Sequence, residues 1–345
     1  MTMSTPEVTK EQATQPPVKK RTFSGIQPTG NIHLGNYLGA IRNWVETQDQ
    51  YENVFCIVDL HAITLPIDPK ELHENTRRLA AIYLASGLDL QHCKLFVQSH
   101  VHQHTELEWI LNCFTPMGWL NRMTQFKTKA GDSIDSVSNG LYSYPVLMAC
   151  DILLYQTHYV PVGDDQRQHI ELTRDLAQRF NSLYNQQIFT IPQAQIRDVG
   201  ARIMSLEDPT KKMSKSDPNP NAYITMLDDP KTIKKKIGRA TTDSLRLVKF
   251  DNERPGITNL LGIYQSLTRA SQEEIEAEFE GKGYGDFKAV LIDRLVDTLR
   301  PIQQRYNEIL SDRGELERLL KQGADDVRPL AERTVQQAKA VVGLG

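Results

Sequence analysis

Apolar residues change their rhythm repeatedly along the first half of the chain. Short runs rich in β-branched and aromatic residues alternate with longer stretches in which apolar positions recur at helical spacing. RTFSGI (21–26) predicts a first strand, followed by a helix from about 35 to 50. NVFCIVDL (53–60) predicts a buried second strand, with a helix from Pro69 to about Ser86. KLFVQSHV (94–101) predicts a third, with helices to about Gln125. Residues 127–143 are rich in Gly, Ser and Asp and read as a mobile loop. SYPVLMACDILLYQ (143–156) predicts a helix with Ser143 or Tyr144 near its cap and Pro145 in its first turn. HYVPVG (158–163) predicts a fourth strand, and Asp165 to about Tyr184 a helix. This alternation predicts an α/β fold over residues 21–220: a Rossmann-like, doubly wound parallel sheet that binds ligands at the carboxyl ends of its strands. Beyond Pro220 only helical spacing continues, which predicts an all-helical part over residues 221–345. No internal repeat interrupts the scheme.

Composition narrows the class. A chain of 345 residues is long enough for about two domains. With 39% hydrophobic and 24% charged residues it has the make-up of a soluble globular protein. A net charge of −3 means that any contact with nucleic acid must be a local basic patch. No apolar run reaches the roughly 18 residues of a membrane span. The opening MTMSTPEVTKEQATQPPVKKR lacks the apolar core of a secretory signal, and residues 1–20 are expected to be a disordered polar tail. Cys56, Cys93, Cys113 and Cys150 form no C-x-x-C pair and lie in apolar surroundings, which predicts buried free thiols in a reducing compartment, the cytoplasm.

Four stretches carry candidate chemistry. After the first strand, Gly30 and Gly35 have the G-x-x-x-x-G spacing, but Asn36-Tyr37 follows where a P-loop needs Lys and Ser/Thr. A turn of this kind opening a helix is either a plain turn or a phosphate site, and His33 inside it could donate hydrogen bonds to developing charge. In KKMSKSDPNP (211–220), Lys212 and Lys215 bracket Met213-Ser214 on a loop. That is either a solvated basic loop or a mobile clamp for phosphate. Tyr144, Met148, Asp151 and Tyr155 fall at i, i+4, i+7 and i+11, one helix face, with one carboxylate among apolar neighbours. A buried carboxylate needs a partner, so Asp151 is either in a structural ion pair or cap, or it receives a ligand's donor. His100, His102 and His104 stand at period two, on one face if the backbone is extended. No further ligand of metal-site spacing accompanies them, so they read as a polar strand end or loop.

His33-Leu34-Gly35-Asn36 resembles the HIGH element of class I aminoacyl-tRNA synthetases, and Lys212–Ser216 is an unbroken KMSKS element. With Ser24–Gly30, Asp59–Thr64, Met123–Lys127, Gly163–His169 and Gly200–Ser205, the chain from about Phe23 to Gly345 is similar to the bacterial tryptophanyl-tRNA synthetases. The resemblance implies an enzyme that forms an aminoacyl-adenylate from L-tryptophan and ATP and then charges tRNA(Trp). It implies that Gln27, Pro28, Thr29, Gly35 and Asn36 contact ATP, and that Gly163, Asp164 and Asp165 face its ribose or metal-bound phosphates. Ile203 and Met213 would flank adenine. Lys212 and Lys215, with Ser214 and Ser216 in the same loop, would hold pyrophosphate, with Lys129 reaching in and His33 and Asn36 supplying polar contacts. In the amino-acid pocket, Asp151 would accept the indole N–H and Tyr144 and Gln166 would meet the α-amino group. Phe23, Gly25, His61, Met148, Val160 and Val162 would wall the ring. Mg²⁺ is expected with ATP and without a dedicated protein site. A homodimer is implied, with tRNA contacts in the helical part, where Lys231, Lys234, Lys235, Lys236 and Arg239 cluster; that cluster also reads as a solvated helix face. A tyrosyl ligase and a non-catalytic binding relative are the competing readings; the intact His33, Asn36, Lys212, Lys215 and Asp151 argue against the second.

Overall fold

The structure, a computed structural model, describes residues 19–30, 32–123, 138–163, 166–195 and 203–345. Nearly all of the tail expected over 1–20, most of the loop expected over 127–143, and Lys129, Asp164 and Asp165 lie outside them.

Five parallel strands form one sheet in the order β3-β2-β1-β4-β5: β1 (Arg21–Ile26), β2 (Glu52–Ile57), β3 (Cys93–Val97), β4 (Tyr159–Pro161) and β5 (Gln193–Gln195). Phe23 is in register with Val54, and Cys56 with Phe96. Alternate residues point to opposite faces, and both faces are covered. Phe55, Ile57, Leu95 and Val97 join one core; Phe23, Val54, Cys56 and Phe96 join the other. The order reverses between β1 and β4, and there the carboxyl ends of two neighbouring strands part to leave a crevice. The doubly wound parallel fold expected from the alternation is the one observed.

The helices are α1 (Leu34–Asn36), which runs through a π-helical turn at Tyr37–Ile41 into α2 (Arg42–Glu46), then α3 (Asp59–Ala62), α4 (Pro69–Ala85), α5 (Gln103–Phe114), α6 (Met117–Leu120), α7 (Asn139–Leu153) and α8 (Arg167–Tyr184). After a long irregular connection come α9 (Pro230–Arg239), α10 (Pro255–Thr268), α11 (Gln272–Glu278), α12 (Tyr284–Ser311) and α13 (Arg313–Val342). Local chemistry sets several boundaries. Asp68 caps α4 by accepting from the N–H groups of Lys70 and Glu71, with Pro69 as first helical residue.

α13 ties the C-terminal helices to the sheet. Leu316 and Leu320 belong to one core, while Ala324, Val327, Ala331, Val335 and Ala338 belong to the other. The helix thus crosses the exposed edge of β3 between Leu320 and Ala324. At the crossing stands Gly323, where a Cβ would lie 2.0 Å from the carbonyl oxygen of Leu95. Only a residue without a side chain lets the helix seal that edge so closely.

Three expectations are corrected. α7 is capped by Ser138, whose Oγ accepts from Leu141 N–H at 3.2 Å, so Pro145 sits in its second turn and not its first. The ladder His100, His102, His104 is not extended. The chain turns into a 3₁₀ segment at Gln98–His100 and then into α5, which sends His104 into the core. Of the four cysteines, Cys113 is exposed, on the outer face of α5. β5, three residues of which two are Gln, was not expected; its polar composition carries no strand signal.

Candidate active site

The crevice between β1 and β4 opens into a cavity of about 610 Å³, within the range of small-molecule sites. One end is apolar. Phe23 and Gly25 come from β1, Met148 from α7, and Val160 and Val162 from β4 and the residues after it. Tyr144, Asp151, His61 and Gln166 place polar atoms around that end. The other end is built from Gln27, Thr29, Gly30, His33, Asn36 and Gly163, with Ser214, Lys215 and Ser216 over it. All nine residues expected for the amino-acid pocket therefore line one cavity, and most of the described residues expected at ATP line its far end.

Asp151 is 1% exposed and is met by three donors. His61 Nε2 lies 2.7 Å from Oδ2; Gln98 Nε2 donates to Oδ1 at 2.6 Å and His104 Nδ1 lies 2.7 Å from the same oxygen. Burial pushes the carboxyl upward in pKa, but His61 and His104 outweigh it and hold the group below its ordinary value. The carboxylate is thus ionised, and the two readings of Asp151 combine. It sits in a buried polar network and also faces the cavity. Behind it, Tyr155 Oη is 2.7 Å from His104 Nε2. Tyr155 does not line the cavity; it lies past the end of α7 and stacks on Phe23. Tyr144 Oη is 3.0 Å from His169 Nε2, and burial pushes its phenol up to about 12. Gln98 carries no signal in the sequence, while His104 reads there only as part of the His100–His102–His104 run and His169 only as the end of the Gly163–His169 stretch.

The first glycine loop is pinned by Leu34 N–H to Ile224 O at 2.8 Å and by Met226 N–H to Ile32 O at 2.9 Å. His33 lies over Gly35: a Cβ there would come 3.0 Å from His33 Cε1 and Nδ1. Gly35 therefore makes room for the His33 ring and is not itself on the cavity wall, nor is the buried Pro28. His33 Nδ1 is buried without a hydrogen-bond partner among the described residues. Burial, then the charges of Lys212 and Lys215, push its pKa down to about 4. Gly30, at φ 81°, turns the chain so that Thr29 can accept from Lys215 Nζ at 2.9 Å, bridging the glycine loop to the lysine loop.

Within the lysine loop, Met213 N–H bonds Ile203 O at 3.0 Å, and Met204 pairs with Lys212. Side chains alternate across this short pairing. Ile203 and Met213 turn into the core below, while Lys212 and Ser214 turn outward. Ile203 and Met213 are thus buried in the core and do not line the cavity, and Lys212 is exposed beside it. Asn259 of α10 clamps the pairing by accepting from Met204 N–H and donating to Met204 O. In the basic cluster on α9, Lys231, Lys234, Lys235 and Arg239 are exposed, but Lys236 is not part of the surface. It is buried, paired with Asp228 at 2.6 Å and lying over the Tyr223 ring.

A doubly wound parallel sheet, with a half-apolar, half-polar cleft at its switch point and a lysine loop over the polar end, defines a nucleotide-binding α/β protein. The sequence pattern of the tRNA synthetases class I (W and Y) matches residues 17–300. The tryptophan–tRNA ligase of Wolinella succinogenes is 56% identical over 95% of this chain and 99% of its own. Among solved structures, the tryptophanyl-tRNA synthetase of Mycoplasma pneumoniae superposes with a TM-score of 0.85 at 38% identity, covering 95% of this chain and 99% of the other. That of Campylobacter jejuni, solved in complex with ADP and tryptophan, gives 0.82 at 37% identity over 94% and 100%. The chain belongs to the class I tRNA synthetase family for tryptophan and tyrosine.

Proposed function

We infer that the cavity activates L-tryptophan with ATP, giving tryptophanyl-adenylate and pyrophosphate, and that the tryptophyl group is then passed to tRNA(Trp). The observation that carries this is an ionised, fully buried acceptor, Asp151, at the apolar end of a cleft whose other end is spanned by Lys215 and Thr29. The Campylobacter jejuni relative, with its bound ADP and tryptophan, supports both occupants.

An indole brings one N–H donor to Asp151, and Phe23, Gly25, His61, Met148, Val160 and Val162 enclose its ring. Phenylalanine brings none, and a site built to receive a donor rejects an analogue without it by roughly 10⁴–10⁵. Tyr144 and Gln166 meet the α-amino group. The tryptophan carboxylate, already ionised, attacks the α-phosphorus; the new P–O bond forms as the bond to pyrophosphate breaks, and no proton moves. Catalysis is then orientation and neutralisation of growing charge. Gln27, Thr29, Asn36 and Gly163 orient ATP, and Lys215, Lys212, Ser214 and Ser216 receive the departing pyrophosphate. His33 presents an uncharged imidazole, which can donate to phosphate oxygen without a fixed charge. Mg²⁺ enters with the triphosphate. Among the described residues no cluster of three His, Cys, Asp or Glu side chains is arranged for a metal, and phosphate oxygens and water suit the ion as ligands.

The exposed Lys231, Lys234, Lys235 and Arg239 offer phosphate contacts to tRNA, which supports a division with tRNA recognition in residues 221–345 and amino-acid activation in 21–220. Ile63, Leu65, Trp109 and Met117 are exposed large apolar side chains, and burial in a homodimer interface would account for their exposure. No helix among the described residues is long and apolar enough to cross a membrane, and work on tRNA(Trp) belongs in the cytoplasm. The deciding experiment is ATP–pyrophosphate exchange with each amino acid in turn. Tryptophan should support it and phenylalanine should not; a preference for tyrosine would defeat the assignment.

A further inference from the structure

We propose that His104 and Gln98, with Tyr155 behind them, are positioning residues that fix which oxygen of Asp151 faces the amino acid. The inference deepens the reading of Asp151 as the acceptor for tryptophan, and rests on it.

The geometry divides the carboxylate into a rear and a front oxygen. Gln98 and His104 are both 0% exposed and neither lines the cavity, yet both reach Oδ1. His61 does line the cavity, and it reaches Oδ2. Oδ1 is therefore held from behind, and Oδ2 is the oxygen beside the ligand space. A carboxylate offers about four lone-pair sites, and three donors leave acceptor capacity on Oδ2 for one more.

The network also fixes its own proton positions. Gln98 accepts from Leu60 N–H through Oε1 at 3.1 Å, so its Nε2 must be the end that donates to Asp151. Leu60 is in α3 beside His61, and Gln98 thereby sets the helix that carries His61 and the carboxylate it touches in one register. An ionised Asp151 accepts only, so His104 donates from Nδ1. In the tautomer that carries its proton on Nδ1, Nε2 is an acceptor, and the Tyr155 hydroxyl donates to it. Each polar atom of the chain Tyr155–His104–Asp151 then has a matched partner, as buried groups require. If the His104 proton moved to Nε2, a lone pair would face the carboxylate instead. The Tyr155 hydroxyl opposes that shift.

The thiols and the phenol packed around Asp151 are neutral, and the charged groups stand behind them, Asp59 reaching Cys56 and Arg328 reaching Tyr155. The thiols of Cys56 on β2 and Cys150 on α7 are raised well above their ordinary range by burial, with Asp151 adding to it, and the Tyr155 phenol likewise. Glu108 of α5 reaches Cys150 electrostatically, and Tyr144 stands edge-on to His61 on the cavity side. The pairing that decides the state of Asp151 is with the two imidazoles.

The test uses full-length protein and tryptophan-dependent ATP–pyrophosphate exchange, with the free protein's Asp151 carboxyl followed by ¹³C NMR. His104→Leu should raise KM for tryptophan about tenfold to a hundredfold, the range for a lost charge-assisted hydrogen bond, and leave KM for ATP unchanged. Its kcat/KM for tryptophan should gain an acid limb absent from the parent, and the Asp151 carboxyl should titrate at higher pH. Discrimination against phenylalanine should narrow. His104→Asn, whose amide nitrogen can stand near Nδ1, should recover most of the loss. Tyr155→Phe, a one-atom change, should move the same quantities in the same direction by a few fold. Equal losses in KM for ATP and kcat with an unmoved pH profile and carboxyl titration would overturn the proposal in favour of a purely structural role. Unchanged kinetics in His104→Leu would overturn it outright. If the parent shows no tryptophan-dependent exchange, the proposed reaction fails instead, and the ¹³C titration still decides whether His104 governs Asp151.

Discussion

Near neutral pH His33 should be uncharged in the free protein and should stay so until well below pH 6. Two separate forces act on it. Burial is the larger, and the cations Lys212 and Lys215 add to it, together lowering the imidazole from 6.5 to about 4. At about 1.36 kcal/mol per unit, charging this ring in the folded state costs roughly 3 kcal/mol more than in the unfolded chain. The sign follows from proton counting. Between pH 4 and 6.5 the unfolded chain holds a proton that the folded chain does not. The contribution is therefore fully present above about 6.5 and is lost as pH falls toward 4. Histidine-labelled protein followed by NMR across pH 3.5–8 should give a His33 midpoint near 4, and the stability difference between the parent and His33→Asn should vary over the same window. Lys215→Met should raise the midpoint only part of the way, because burial remains. Pyrophosphate should raise it further in the parent, since the anion offsets the lysine charges. A free-protein midpoint near 6.5 would sink the argument. So would full recovery in Lys215→Met, which would make charge and not burial the main cause.

Three further outcomes follow from particular contacts. Lys215→Ala should slow adenylate formation by roughly 10²–10³, the scale for losing one donor to developing charge, with tryptophan binding unchanged; Lys212→Ala, exposed beside the cavity, should cost less in the same single-turnover assay. Lys236→Met leaves Asp228 without its buried partner and should lower stability by about 3 kcal/mol in urea titration, whereas Lys234→Ala with Lys235→Ala should leave stability alone and make the salt dependence of tRNA binding shallower by about two charges. Equal stability losses from the two would contradict the burial that separates them. Gly323→Ala should destabilise by about 3 kcal/mol or more, because a Cβ placed 2.0 Å from Leu95 O forces the last helix off β3; an unfolding midpoint within error of the parent would show that the helix does not sit so close.

The layout of the sheet was legible because its strands are buried on both faces. VFCI and LFV have no solvent side to interrupt them with polar residues, so they stand out from the helical stretches around them. β5 did not stand out: Gln193-Ala-Gln195 pairs with β4 through its backbone, and neither its length nor its side chains announce it. The start of α7 was misread for a different reason. Proline favours the first turn of a helix, which drew the expected cap to Ser143. The true cap, Ser138, stands five residues earlier, where its Oγ accepts from Leu141 N–H and the helix begins at Asn139. Lys236 shows the limit of reading charge runs. At i+3 from Ile233 it shares the buried face of α9, and only the position of Asp228 in the preceding turn reveals a partner there.

The buried polar network marks the boundary between demand and supply. That Asp151 requires partners follows from one carboxylate within VLMACDILLY, since an apolar face cannot hold an uncompensated charge. Which residues meet the requirement does not follow, because they come from the ends of β2 and β3 and from α5, positions far apart in the chain. His104 was visible, but in the wrong grouping. Period two aligns His100, His102 and His104 only while the backbone stays extended, and the extension ends at Val97. Once the chain turns at Gln98, helical geometry separates the three. His100 and His102 remain at the surface turn, and His104 points to Asp151. Gln98 carries no signal in sequence. A glutamine becomes informative only when both ends of its amide are accounted for, here by Leu60 on one side and Asp151 on the other. The glycine and lysine loops were readable as contiguous motifs because a turn suited to phosphate is built from backbone and side chains adjacent in sequence. The support for amino-acid recognition was not, because a small apolar ligand is enclosed by side chains that converge only after folding.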